Sequence, residues 1–146
     1  MRSAKNFFSA EQIKQIESAI GEAEKNTSGE IRVHIENKCK GEELHCAKVI
    51  FHKHNMHKTH LRNGVLFYLA VKDRKFAVMG DEGIHKNVPE NFWHVVRDRV
   101  LEKFKQEKFT EGLCQGIAMT GNELKKYFPH SGSDRNELPD EIMFGK

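Results

Sequence analysis

The sequence predicts an α/β domain, a three-layer α/β/α sandwich around a short mixed β-sheet. Three observations carry this. A strand pattern at Glu30–Glu36, a helical pattern from Glu42 to about His57 and a strand starting at Val65 make a crossover unit, which is parallel and right-handed. In the second of these strands Val65, Phe67, Leu69 and Val71 alternate with Leu66, Tyr68 and Ala70, so both faces are apolar, as in a strand covered on both sides. Amphipathic helical stretches before and after this unit supply the two covering layers.

Taken in order, the first helix starts at Ser9. Ser9 as N-cap and Gln12 three residues on make a capping box, and Phe8 with Ile13 makes a hydrophobic staple. Ile13, Ile16, Ala19, Ile20 and Ala23 form one apolar stripe, and Ser28-Gly29 breaks the helix after about Asn26. Glu30–Glu36 alternates Ile31, Val33 and Ile35 with Arg32, His34 and Glu36, a strand with one polar face near a sheet edge. The next helix runs from Glu42 to about His57 on Leu44, Ala47, Val49, Ile50 and Phe51. Asn63-Gly64 opens a hairpin, Lys72-Asp73-Arg74-Lys75 turns it, and Phe76-Ala77-Val78-Met79 returns antiparallel, ending in Gly80-Asp81-Glu82-Gly83. Two helices follow, Glu90–Gln106 and Thr110–Tyr127, the latter capped by Thr110 and ended by Pro129. Residues 1–129 thus make one domain, and 130–146, polar and without period, read as a mobile tail.

A chain of 146 residues with ten phenylalanines can bury a real core. The net charge of +3 is mild and its basic residues are scattered among acids, which argues against nucleic acid as a partner. A mean hydropathy of −0.67, no segment of membrane-span length and no apolar signal-peptide core lead to the expectation of a soluble, cytoplasmic monomer. Three cysteines, Cys39, Cys46 and Cys114, are an odd and sparse set that fits a reducing compartment, with a Cys39–Cys46 disulfide the less favoured reading.

The best candidate for chemistry is the acidic end of the hairpin. Asp81 and Glu82 lie between two glycines, and the antiparallel return brings them near Asn63; parallel pairing of the first two strands adds Glu30. Ca2+ and Mg2+ take such oxygen ligands. The competing reading is a solvated turn, for which Asp, Glu and Gly are ordinary residues. Ligands of open α/β sheets sit at the carboxyl ends of parallel strands, where Asp73 is the rival anchor. His45, His52, His54, His57 and His60 form a second cluster around Cys46; it has no standard zinc spacing, and a solvated helix end explains it better than a transition-metal site. Cys114 and Trp93 read as core residues, and no P-loop, dinucleotide fingerprint or nucleophile elbow occurs.

The ordered set Ser28-Gly29-Glu30-Ile31-Arg32-Val33, Asn63-Gly64-Val65-Leu66, Lys72-Asp73-Arg74-Lys75 and Gly80-x-x-Gly83-Ile84 resembles the TPM domain, a family named for thylakoid, photosystem-repair and modulator proteins. The resemblance covers Phe7 to Phe128. It implies an α/β/α sandwich, a divalent-cation site of acidic loop residues and, for some members, acid phosphatase activity. The chain departs from the family pattern where Arg62, rather than an acid, precedes Asn63-Gly64, and where His85-Lys86-Asn87 follows the second glycine. Three expectations result: a cation-binding module of accessory or protein-quality role; a metal-assisted acid phosphatase in which Arg62 holds a phosphate oxygen; or a metal-free protein-interaction domain.

Overall fold

The computed structural model describes residues 3–130 and 137–145. A four-stranded sheet lies between two helical layers, as the α/β/α reading requires. Its strands are β1 (Glu30–Glu36), β2 (Gly64–Ala70), β3 (Lys75–Gly80) and β4 (Met143–Phe144), in the spatial order β3-β2-β1-β4. β1 and β2 are parallel, with Glu30 opposite Gly64 and Glu36 opposite Ala70; β2 and β3 are antiparallel, with Val65 opposite Gly80.

The alternation in β2 sorts the core into two. Val65, Phe67 and Leu69 join Ile31, Val33 and Ile35 of β1 beneath α2 (Ala10–Glu24), α5 (Phe92–Lys105) and α6 (Phe109–Tyr127). Leu66, Tyr68 and Ala70 face α3 (Glu43–Lys53) through Ala47, Ile50 and Phe51. On the larger face, helix and sheet pack closely at Gly116: a Cβ there would lie 2.6 Å from Val100 and 2.9 Å from Phe67.

The local signals hold where they are local. Ser9 Oγ accepts from the Gln12 amide at 3.1 Å and Gln12 Oε1 from the Ser9 amide at 2.9 Å, the expected capping box. A short α1 (Ala4–Phe7) precedes it, anchored by the Ala4 amide donating to Asn37 Oδ1 at 2.7 Å. The helix expected to reach His57 stops at Lys53, because Asn55 adopts φ 57°, a left-handed conformation Asn tolerates, and a 3₁₀ turn (Met56–Lys58) follows. Thr110 is inside α6; Lys108 holds the cap position, without a side-chain bond.

Three expectations change. β1 lies one strand in from the edge, with the two-residue β4 pairing outside it in parallel, His34 opposite Met143, but its polar face is not solvated, since Glu30 and His34 are buried. The expected polar tail packs on the body over residues 137–145, burying Leu138, Ile142 and Met143, while 131–136 lie outside the described residues. These apolar residues have no helical or strand period, so composition alone made the segment look unstructured. Cys39 and Cys46 are joined as a disulfide, with Cα atoms 6.1 Å apart, and Cys114 is free. The hairpin turn holds the first cysteine: Asp73 Oδ2 accepts from the Cys39 amide at 2.8 Å, and Lys75 Nζ donates to the Cys39 carbonyl at 3.1 Å.

Candidate functional site

At the amino end of β2 the Asp81–Glu82 corner forms as expected, but it already contains a cation of its own. Asp81 caps the one-turn helix α4 (Glu82–His85), its Oδ1 accepting from the Glu82 amide at 2.8 Å. The Arg62 guanidinium grips both oxygens of Asp81, Nε to Oδ2 at 2.8 Å and Nη2 to Oδ1 at 2.9 Å, and reaches Glu82 Oε1 at 3.1 Å. This is a two-pronged charge-assisted pair, among the stronger polar contacts a protein makes. Gly83 closes the corner. Its amide donates to the Arg62 carbonyl at 3.0 Å, and a Cβ would lie 2.3 Å from the Leu61 carbonyl oxygen and 2.6 Å from that of Arg62.

The other expected ligands do not meet here. The Asn63 side-chain amide donates to Ser28 Oγ at 3.3 Å. Glu30 points to the C-terminal segment, on the face of β1 opposite to Ile31. Asp73, the rival anchor, is committed to Cys39. With Arg62 in place, Asp81 and Glu82 do not fit a divalent cation: the guanidinium satisfies the carboxylates and would repel a second positive charge.

Glu30 belongs to a different group, which the sequence reading missed apart from this residue. Glu24 ends α2, Glu30 begins β1, and Glu137 and Asp140 arrive from the C-terminal segment. Glu24 Oε2 accepts from the Ile31 amide at 2.8 Å, and its carboxyl is hydrogen-bonded to that of Asp140. The Glu137 carboxylate accepts from the His60 amide at 3.2 Å, tying the C-terminal segment to the loop before β2. Glu30 Oε1 accepts from the Leu138 amide; Glu30 is 2% exposed, and its Oε2 is buried with no hydrogen-bond partner among the described residues.

The electrostatics follow from this crowding. Burial, then the hydrogen bond to Asp140, raises the Glu24 carboxyl to about 9. Burial raises Glu30 to about 7 against the opposing backbone amides of Leu138 and Glu137, with the charges of Glu137 and Asp140 adding to the rise. Carboxyl groups so placed want either a proton or a cation. Among the described residues no group of three His, Cys, Asp or Glu side chains is placed to hold a metal ion, so a cation here would meet fewer than three of these carboxyls and take its other ligands from backbone or water oxygens. The signal for this corner was not local: four acids at positions 24, 30, 137 and 140 share no motif, and the fold alone gathers them.

The histidines do not form one cluster. His52 and His57 have ring centroids 4.7 Å apart, while His54 lies 5.9 Å from His34. His60 is tied through its amide to Glu137. A buried network the sequence reading did not single out lies nearby: Glu36 accepts from Tyr68 Oη and contacts His34 Nε2 at 3.0 Å, and desolvation lowers the His34 pKa. No described helix is long and apolar enough to cross a membrane.

Comparison with known proteins gives the frame. The family description of the TPM domain matches residues 2–123. The chain is similar to the BA42 protein of the psychrophilic bacterium Bizionia argentinensis, known by NMR, at 44% identity over 99% of this chain and 100% of that one, with a TM-score of 0.91. It has the fold of the N-terminal domain of a Corynebacterium glutamicum protein, at 16% identity, TM-score 0.65, over 87% and 78% of the two chains. The N-terminal domain of a P. gingivalis protein is similar too, at 16% identity, TM-score 0.69, over 86% and 83%. No curated protein matches the chain.

Proposed function

The chain belongs to the TPM domain family, and from that premise we propose that it binds a hard divalent cation, Ca2+ or Mg2+, at the corner of Glu24, Glu30 and Asp140. The observation that carries this reading is the Glu30 carboxyl, buried beside other carboxyls, whose Oε2 has no hydrogen-bond partner among the described residues. Such a group is costly to bury unless it is protonated or paired with positive charge. A bound divalent cation supplies that charge. Glu30 would face it directly, Asp140 would release Glu24 to join it as the second carboxylate, and backbone and water oxygens would complete the about six to eight ligands Ca2+ takes, since no three described side chains here are placed to hold a metal together.

The output we infer is an accessory or protein-quality role for a cation-binding module. The phosphatase reading has less support, since the guanidinium assigned to a phosphate oxygen is engaged by Asp81 and Glu82. Calorimetric titration of the full chain with Ca2+ and Mg2+ tests the reading. Glu30→Gln is expected to weaken binding by about tenfold or more, because it removes one formal charge from the shell, while Asp81→Asn leaves it unchanged. Loss of binding in Asp81→Asn with binding retained in Glu30→Gln would return the site to the Arg62 corner. Turnover of p-nitrophenyl phosphate by the cation-saturated protein would restore the enzymatic reading.

A further inference from the structure

The opposite end of the sheet carries a feature that the cation site does not use. Past the carboxyl end of β2, between the hairpin, α5 and the start of α6, runs a half-open groove of about 1010 Å³. Leu69, Val71 and Phe76 form its floor, and Phe104 and Phe109 its walls. The phenylalanines touch in series: Phe76 to Phe104 at 5.5 Å, Phe104 to Phe109 at 5.1 Å and Phe109 to Phe7 at 5.0 Å between ring centroids. Phe76 is buried, but Phe7, Phe104 and Phe109 are only half-buried, so an apolar surface remains open to water. This is also the end of an open α/β sheet at which ligands are commonly held.

The mouth of the groove is basic. Arg74 and Lys105 are exposed there, and neither is ion-paired among the described residues. Lys75 is committed to the carbonyls of Cys39 and Gly41, and Asp73, the nearest acid of the turn, to the Cys39 amide. Among the described residues Glu107 is the single opposing charge lining the rim. No described side chain lining this groove has a buried, unpartnered polar atom, so its walls ask for hydrocarbon and only its mouth asks for charge. We infer that the groove binds a free long-chain carboxylate, its hydrocarbon chain along the phenylalanines and its head group at Arg74 and Lys105.

The test is an amide and methyl NMR titration of the full chain with dodecanoate below its micelle concentration, beside dodecanol and vesicles of phosphatidylglycerol. The expected result is a saturable one-to-one shift pattern at Leu69, Val71, Phe76, Leu101 and Phe109. Dodecanol, and dodecanoate on the Arg74→Ala/Lys105→Ala variant, should bind about tenfold more weakly, the effect of one charge-assisted hydrogen bond. Both substitutions are at exposed positions, so the fold is retained. No shifts in the groove, or equal affinity for dodecanol, would overturn the assignment. Binding to vesicles without binding of free dodecanoate would also overturn it, by making the face a membrane contact.

Discussion

At the scale of single residues, Glu24 and Arg62 determine what the two acidic corners can do. Without divalent cation, folded Glu24 keeps a proton up to a pH of about 9 that an unfolded chain releases at 4.5, and Glu30 does the same up to about 7. Between those limits the unfolded state binds fewer protons than the folded one, so stability falls as pH rises. Thermal unfolding in chelator should therefore give a falling Tm from about pH 5 to about pH 9, flatter in Glu24→Gln. A Tm constant over that range would mean that the corner is not strained as described. Arg62 makes a second prediction. It is 38% exposed and pairs with an Asp81 that is 6% exposed, so Arg62→Ala should lower the Tm measurably by leaving the buried Asp81 carboxylate without its partner. The same variant uncovers Asp81 and Glu82, and calorimetry should detect a second, weaker cation site in it. Unchanged stoichiometry would show that those carboxylates have no affinity for metal even when freed.

At the scale of elements, what was legible in the sequence is what short-range chemistry dictates. The Ser9–Gln12 box, the two-faced apolar pattern of β2, the crossover through α3 and the hairpin all follow from neighbours a few residues apart. β4 was not legible, because two residues carry no period and its pairing with β1 joins residues more than a hundred positions apart. The same fact hid most of the cation corner. Glu30 was named, for its place at the start of β1, and Glu24 meets it across the short turn from α2, but Glu137 and Asp140 become their neighbours only when the C-terminal segment docks. Arg62 was read as a phosphate ligand because sequence gives its place beside Asn63 but not the direction of its side chain. Leu138 is the test of the docking itself. It is 8% exposed against the α3-side core, and Leu138→Ala should cost about 2–3 kcal/mol in denaturant unfolding, the lower part of the range for buried leucine. A change below about 0.5 kcal/mol, as at ordinary surface positions, would mean that residues 137–145 contribute little to the folded state.

At the scale of the whole molecule, the sheet has two ends with opposite character. The amino end of β1 and β2 is acidic, with one carboxylate pair held by Arg62 and another group held by protons or, as we propose, by a divalent cation. The carboxyl end is aromatic with a basic rim. The central claim concerns the first end, and amide NMR of the full chain during Ca2+ and Mg2+ titration tests it most directly. The account predicts saturable shifts centred on Glu24, Glu30, Ile31 and Leu138 to Ile142, with Gly80 to Gly83 nearly still. Saturable shifts centred on Gly80 to Gly83 instead, or no saturable shift anywhere, would contradict it.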